Sequence, residues 1–305
     1  MDDQDFLAGG CAVLTGAASG FGLEMARLAA RRGMQVVMAD VMGDALDAAA
    51  AEVEALGAPV LARRVDVRHA AEVEALAADT LARFGTPRLV FNNAGVGAGG
   101  LVWEHSAKDW EWVLGVNVMG VAHGVRVFTP LMLAAEKADR AFRGAIVNTA
   151  SMAGLVNMPV MGVYNVSKHA VVSLSETLYQ DLRLVSERVQ AHVLCPYFVP
   201  TGIARSGRAR PEDARDAQAP SPTASQRVAG ANIDRAVASG KVSAAEVAAL
   251  VFDAVLAGRF YIYSHPKAVG PALDRAQDIV EGENPRDPYA ERPELGEQLR
   301  AALRG

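Results

Sequence analysis

Tyr164 and Lys168 stand four residues apart in a segment of helical period, Tyr164-Asn165-Val166-Ser167-Lys168. Side chains at that spacing share one helix face, about 5–6 Å apart at Cβ. An ammonium held beside a phenol favours the phenolate, and a phenol so tuned can accept a proton from an alcohol or donate one to a carbonyl. Alone the pair says little, because Tyr-x-x-x-Lys is common on exposed helices. Ser151 adds weight: it lies thirteen residues before Tyr164, just after an apolar run over 145–149. If that run is a parallel strand, Ser151 sits at the sheet edge where ligands bind. A second constellation lies near the start of the chain, in Thr15-Gly16-Ala17-Ala18-Ser19-Gly20-Phe21-Gly22. Glycines at 16, 20 and 22 permit a tight turn, close approach of backbone to a pyrophosphate, and close contact of helix with sheet. The helix that follows offers unpaired N–H groups to phosphate. Asp40 comes eighteen residues after Gly22, at the end of the next apolar run. A carboxylate there accepts hydrogen bonds from an adenosine ribose. It would also repel a 2′-phosphate, and no Arg or Lys occurs in 15–22 or 35–43 to offset it, so the pattern predicts NAD over NADP.

These groups need a scaffold, and the chain alternates short β-branched runs with longer segments of helical period. That is the pattern of repeated βαβ units and a parallel sheet. Strands are expected over 11–15, 35–40, 60–65, 89–92, 145–149, 190–195 and 260–263. Helices are expected over 20–32, 44–56, 70–84, 107–135, 161–185 and 243–257. The strands are nearly all apolar, as strands buried on both faces must be. The fold class is therefore α/β, a doubly wound parallel sheet of about seven strands with helices on both faces, forming a single domain over 1–265. Residues 202–240 lack large apolar side chains and read as an inserted substrate lid, mobile or loosely packed. The last stretch, 266–305, is polar and broken by prolines, and reads as a surface tail or subunit-contact arm.

Composition sets the outer bounds. Thirty Lys and Arg against thirty-five Asp and Glu give a net charge of −5, which argues against a nucleic-acid partner. The two cysteines, Cys11 and Cys195, each sit in an apolar run and are too few for a disulfide framework, so a reducing compartment is the simpler expectation. The acidic start, Met1-Asp2-Asp3-Gln4-Asp5, does not fit a signal peptide. No stretch nears 18 uninterrupted apolar residues, which predicts no membrane span. A cytoplasmic location follows as an expectation.

With these motifs in order, the sequence resembles the short-chain dehydrogenase/reductase family over about residues 10–263. The matching elements are Thr15–Gly22, Asp66-Val67, Asn92-Asn93-Ala94-Gly95, Asn117, Ser151 and Tyr164-x-x-x-Lys168. The resemblance implies a Rossmann-type fold and a nicotinamide cofactor. It implies that Asp66 and Val67 contact adenine, and that Asn92, Asn93, Ala94 and Gly95 shape the wall beside ribose and nicotinamide. Asn117 would bend its helix and hold a water in a proton relay through Lys168. Ser151 would bind the substrate oxygen, Tyr164 would act as acid/base, and Lys168 would grip the nicotinamide ribose. Pro196, Val199 and Thr201 fall where the family contacts the carboxamide and phosphates. Tyr197 departs from the pattern, standing where the family often has Gly. With Phe198, Met152 and Met158 it would make an apolar, partly aromatic wall, so a hydrophobic or aromatic secondary alcohol, or its ketone, is the expected substrate.

Other groups carry less. The six histidines show no metal-ligand spacing. Arg205, Arg208 and Arg210 read as a solvated loop, and Glu52, Glu54, Glu72 and Glu74 as solvated helix faces. Competing functions are an NADP-dependent carbonyl or ketoacyl reductase, a sugar-nucleotide epimerase or dehydratase, and a nucleotide sensor without chemistry. The glycine spacing and the short segment after Cys195 disfavour the second. The full Asn117, Ser151, Tyr164 and Lys168 set disfavours the third. The helices over 107–135 and 161–185 carry more apolar residues than one sheet face covers, which predicts a homodimer or homotetramer.

Overall fold

A strand made only of apolar residues has no face to give to water, and the strands here are covered on both sides. The computed structural model describes residues 6–216 and 221–304. The acidic stretch 1–5 and positions 217–220 of the inserted segment lie outside the described residues. The elements run β1 (Cys11–Thr15), α1 (Gly20–Arg31), β2 (Gln35–Asp40), α2 (Gly43–Glu54), β3 (Val60–Arg64), α3 (Ala70–Phe84) and β4 (Leu89–Asn92). They continue with α4 (Ala107–Leu114), α5 (Gly120–Ala138), β5 (Gly144–Thr149), α6 (Gly162–Val185) and β6 (Val189–Cys195). The last are α7 (Ala224–Ala238), α8 (Ala244–Leu256), β7 (Tyr261–Tyr263), α9 (Gly270–Glu281) and α10 (Pro293–Arg304).

The seven strands pair in parallel in the order β3-β2-β1-β4-β5-β6-β7. The order reverses between β1 and β4, and a crevice must open there at the carboxyl ends of the strands. One core layer joins the sheet to α1, α2 and α8 through Met25, Leu46, Val251 and Phe252. The other joins it to α3, α5 and α6 through Leu76, Phe128, Met132, Leu178 and Leu182. Cys11 and Cys195 are free and buried in strands, as their apolar settings require.

Three expectations change. The helix expected over 107–135 is two helices joined by a π turn, Gly115–Met119, which contains Asn117 and runs on to Ala138. Such turns leave backbone groups out of the regular ladder and often sit at functional sites. By length and composition, 107–138 also contains an 18-residue stretch apolar enough to cross a membrane, with a mean hydropathy of 1.4, although no apolar run of that length is uninterrupted. It packs on the sheet and on α3, where Arg126 pairs with Glu74, yet only 28% of its apolar stretch is buried.

The inserted segment is not loose. Two 3-10 turns, Gly202–Ala209 and Glu212–Ala214, precede α7, and Ala214 is buried with Val96, Trp112, Val113 and Val163. Arg210, expected to be solvated, donates to Asp109 at 2.6 Å and lies 4.8 Å over the Trp112 ring. The tail is likewise structured. Arg286 reaches back to Asp274 and to buried Asp278, both at 2.8 Å, and α10 packs against α7.

Candidate active site

The chain leaves β1 through Gly16 and Gly20, both at positive φ (64° and 56°), and enters α1. A Cβ on Gly22 would fall 2.2 Å from the Gly16 carbonyl oxygen, and one on Gly16 would fall 2.9 Å from Ala94 Cα. No side chain fits at either place unless the turn opens. Ser19, before α1, makes no side-chain capping bond, so the first N–H groups of the helix keep their donors for an anion. A cradle of this kind fits a pyrophosphate. Thr15 Oγ1 accepts from the N–H groups of Asn93 and Ala94 at 3.0 and 3.1 Å, and Asn93 Nδ2 donates back to Thr15 O and Gly16 O. The Asn93 side chain thus holds the glycine turn in place. Asn92 is corrected: it points the other way, into the core, and pairs with Asn148 instead of shaping the cofactor wall.

Asp40 accepts from Ala18 N and Met42 N, both at 3.0 Å, which fixes its carboxylate at the cavity edge with lone pairs left for a ribose diol. The pairing of β2 with β3 sets Arg64 opposite Asp40, a basic neighbour that the sequence windows miss. Its guanidinium is tied to the Val41 carbonyl at 3.2 Å. Asp66 differs from expectation in its side chain. Arg68 takes both its oxygens, by Nε at 3.0 and 3.1 Å and by Nη2 at 2.7 Å, and also reaches Asp213 of the inserted segment. The Asp66 N–H donates to Glu72, so Glu72 braces this loop and is no mere solvated face. Val67 is buried against α5, where a Cβ on Gly120 would lie 2.7 Å from it.

Tyr164 lies in the first turn of α6 and Lys168 one turn later; Ser151 follows β5. Lys168 Nζ sits 5.7 Å from the centre of the Tyr164 ring and donates to Thr149 O at 2.9 Å. Asn117 Oδ1 accepts from Val96 N at 2.8 Å, while its Nδ2 donates to Val96 O and to Ser167 Oγ, both at 2.9 Å. Ser167 in turn donates to Tyr164 O at 2.8 Å. The π turn, the Gly95–Val96 loop after β4 and the first turns of α6 are therefore one hydrogen-bonded unit. Spacing alone predicts a phenol made acidic by its lysine. In the protein by itself, burial pushes the Tyr164 phenol up, with the Ser151 hydroxyl pulling the other way, and burial pushes Lys168 down to about 8. Desolvation is the larger influence on both groups.

Asp40, Asp66, Asn93, Ser151, Tyr164 and Lys168 face one cavity of about 1620 Å³, while Asn117 and Ser167 are buried behind its wall. Its nucleotide end is lined by Gly16, Ser19, Gly20, Phe21, Asp40, Asp66 and Val67, and its middle by Asn93, Ala94, Gly95, Pro196, Val199 and Thr201. Gly22 acts from behind, by letting α1 approach the turn. Beyond Tyr164 the walls are apolar, with Met152, Met158, Met161, Trp112, Ile233 and Val237. Tyr197 stands at the rim, 47% exposed, its ring 4.6 Å from Phe198 and 5.6 Å from His265. Residues of α9 and of 283–292 also line this cavity, so the segment read as a surface tail roofs the site. Sequence reasoning misses Thr149, Ser167, Ile233 and this roof. Only Ser167, between Tyr164 and Lys168, carried a positional signal.

A model of the short chain dehydrogenase family matches residues 10–212. A short chain dehydrogenase/reductase from Burkholderia phymatum, solved in complex with NAD, is 52% identical, covering 92% of this chain and 98% of that one, with a TM-score of 0.89. A CLA biosynthesis dehydrogenase/reductase of Lactiplantibacillus plantarum is 32% identical over 88% of this chain and 92% of its own length. A 1-deoxy-11-beta-hydroxypentalenate dehydrogenase of Streptomyces exfoliatus is 36% identical over 88% and 87% respectively.

Proposed function

The chain belongs to the short-chain dehydrogenase family, and within it we propose an NAD-dependent oxidoreductase that interconverts a hydrophobic or aromatic secondary alcohol and its ketone. The observation that carries this reading is the joint placement of Ser151, Tyr164 and Lys168 at the edge of an apolar pocket continuous with the glycine cradle. The N-terminus of α1 and the Gly16–Gly22 turn would hold the pyrophosphate, Asp40 the adenosine ribose, and Lys168 with Tyr164 the nicotinamide ribose. Pro196 and Val199 would flank the carboxamide, and Thr201, beside Gly20, the phosphates. When bound, the cofactor supplies the hydride acceptor for oxidation and the donor for reduction. The protein's own part is to orient the alcohol and move its proton. Ser151 Oγ holds the substrate oxygen, and Tyr164 Oη takes the hydroxyl proton or returns it. Lys168 lowers the cost of a phenolate, and Asn117 fixes the turn against which α6 rests. The apolar walls exclude water and favour a carbinol carbon flanked by hydrocarbon. A relative named as a 1-deoxy-11-beta-hydroxypentalenate dehydrogenase is in keeping with a hydroxylated substrate.

Arg64 is the observation that favours the competing NADP reading, and one experiment separates the two. With NAD, kcat/KM on a panel of secondary alcohols should exceed the value with NADP. Asp40→Ala should narrow the gap by about 10–100-fold, the worth of one or two hydrogen bonds to a charged group, and more so with Arg64 free to meet a 2′-phosphate. A parent enzyme that prefers NADP would refute the assignment.

We also propose that the chain works as a homodimer or homotetramer. Met119 and Val166 are about half exposed beside the site, in keeping with the incompletely covered stretch of 107–138. Light scattering at micromolar concentration should give a multiple of the chain mass; a monomer mass would refute it.

A further inference from the structure

Val160 is the one non-glycine residue at positive φ (56°) among the described residues. A β-branched side chain is poorly suited to that conformation, because Cβ is crowded by backbone and χ1 is stiff. The turn is Met158-Pro159-Val160-Met161, with Pro in second place and the left-handed residue in third, where Gly or Asn is usual. Such strain persists only where surrounding contacts over-determine it, and here they do. The Val160 carbonyl accepts from Gly100 N at 2.8 Å, and Gly100 and Met161 form an isolated parallel bridge. Gly99 and Gly100 are the shelf on which α7 rests; a Cβ on either would lie 2.7 Å from Ala229 or Gln226. On the other side, Met158 O accepts from Asn165 Nδ2 at 2.9 Å, one residue after Tyr164. The strained turn is thus pinned between the helix that carries Tyr164 and the shelf beneath the inserted segment. Its two flanking methionines line the substrate end of the cavity, and Val160 itself does not.

We propose that Val160 is a specificity-determining positioning residue: its left-handed turn holds Met158 and Met161 as a fixed wall that selects alcohols by shape. Methionine side chains are otherwise adaptable and would admit varied ligands. A stiff turn at their shared backbone removes that freedom, at a cost in stability. The inference rests on the oxidoreductase reading for its substrate class, though its structural arm does not.

The test uses Val160→Gly and Val160→Asn, both of which accept a left-handed φ. Each should raise Tm by about 2–4 °C through relief of strain. Each should also compress the spread of kcat/KM across secondary alcohols of graded bulk by about tenfold, a loss of about 1.4 kcal/mol of discrimination. The change should appear in KM, with kcat for the smallest alcohol and KM for NAD unaltered. Independently of turnover, the 13C-methyl resonances of Met158 and Met161, assigned with Met158→Leu and Met161→Leu, should sharpen and converge. A raised Tm with the alcohol ranking and both methyl signals unmoved would overturn the proposal, as would no rise in Tm for either variant. If no alcohol turns over in the parent, the oxidoreductase reading fails, while the methyl signals still decide the role of Val160.

Discussion

Tyr164→Phe is expected to lower turnover by about 10²–10⁴-fold, the range for loss of a general acid/base group. NAD binding should weaken far less, by no more than one hydrogen bond to the ribose is worth, because the glycine turn, Asp40 and Lys168 remain. Phe keeps the ring, its packing and the cation–π contact with Lys168, whose Nζ lies 5.7 Å from the ring centre and is anchored on Thr149 O. What disappears is the one hydroxyl that can take a proton beside Ser151. No neighbour replaces it easily: Ser151 Oγ accepts from Ala153 N, and the ordinary pKa of a serine hydroxyl lies far above that of a phenol. Burial raises the Tyr164 phenol in the protein alone, with the Ser151 hydroxyl pulling it down, so under the proposed role its ionisation should govern the rate. The parent rate of alcohol oxidation should therefore rise with pH on a single ionisation that Tyr164→Phe removes. Turnover within about tenfold of the parent, or an unchanged pH profile, would take Tyr164 out of the role.

The parts of this site that were legible in the sequence share one physical property: they are local. A glycine cradle between strand and helix is written in consecutive residues, and Tyr164 and Lys168 need only one helix turn to meet. The β-branched runs read as strands because a parallel sheet buries both faces, and β1, β2 and β4 run as expected from sequence. What escaped depends on partners distant in the chain. Arg64 comes beside Asp40 only through the register of β2 with β3. The π turn around Asn117 has no local signature beyond flanking Gly115 and Gly120. α7 hides in an Ala-rich segment whose buried positions, Ser225, Ala229 and Val237, include no large side chain. Its capping box, Thr223 with Gln226, was the readable sign of a helix start. α10 in turn packs on α7, so missing the first helix concealed the reason for the second. Asn92 and Asn93 show the same limit at the scale of one residue. β4 ends at Asn92, which enters the core, and Asn93, just past the strand, turns the other way to brace the glycine turn.

That inward turn of Asn92 leads to the largest expected effect on stability. Asn92 Nδ2 donates to Asn148 Oδ1 at 2.9 Å, Asn148 Nδ2 donates to Ser175 Oγ at 3.0 Å, and Ser175 donates to Val171 O at 2.7 Å. The chain of bonds links β4, β5 and α6 beneath the cavity, with all three side chains buried. Asn92 Oδ1 has no partner, and it presses on α5, where a Cβ at Gly124 would lie 2.0 Å away. Asn148→Leu, similar in shape, should strand the Asn92 amide and leave Ser175 without its donor. At about 1–3 kcal/mol for each stranded group, the loss should be about 2–5 kcal/mol, on the order of 5–15 °C in Tm. Removing both amides should cost less than the two single changes together, because no donor is then left waiting for an acceptor. Urea melts of Asn92→Leu, Asn148→Leu and the double variant measure this coupling. Additive losses would show that the two amides act as separate core residues. A double variant more stable than Asn148→Leu alone would show that the stranded Asn92 amide, more than the lost packing, carries the cost of the single change beneath the helix that holds Tyr164.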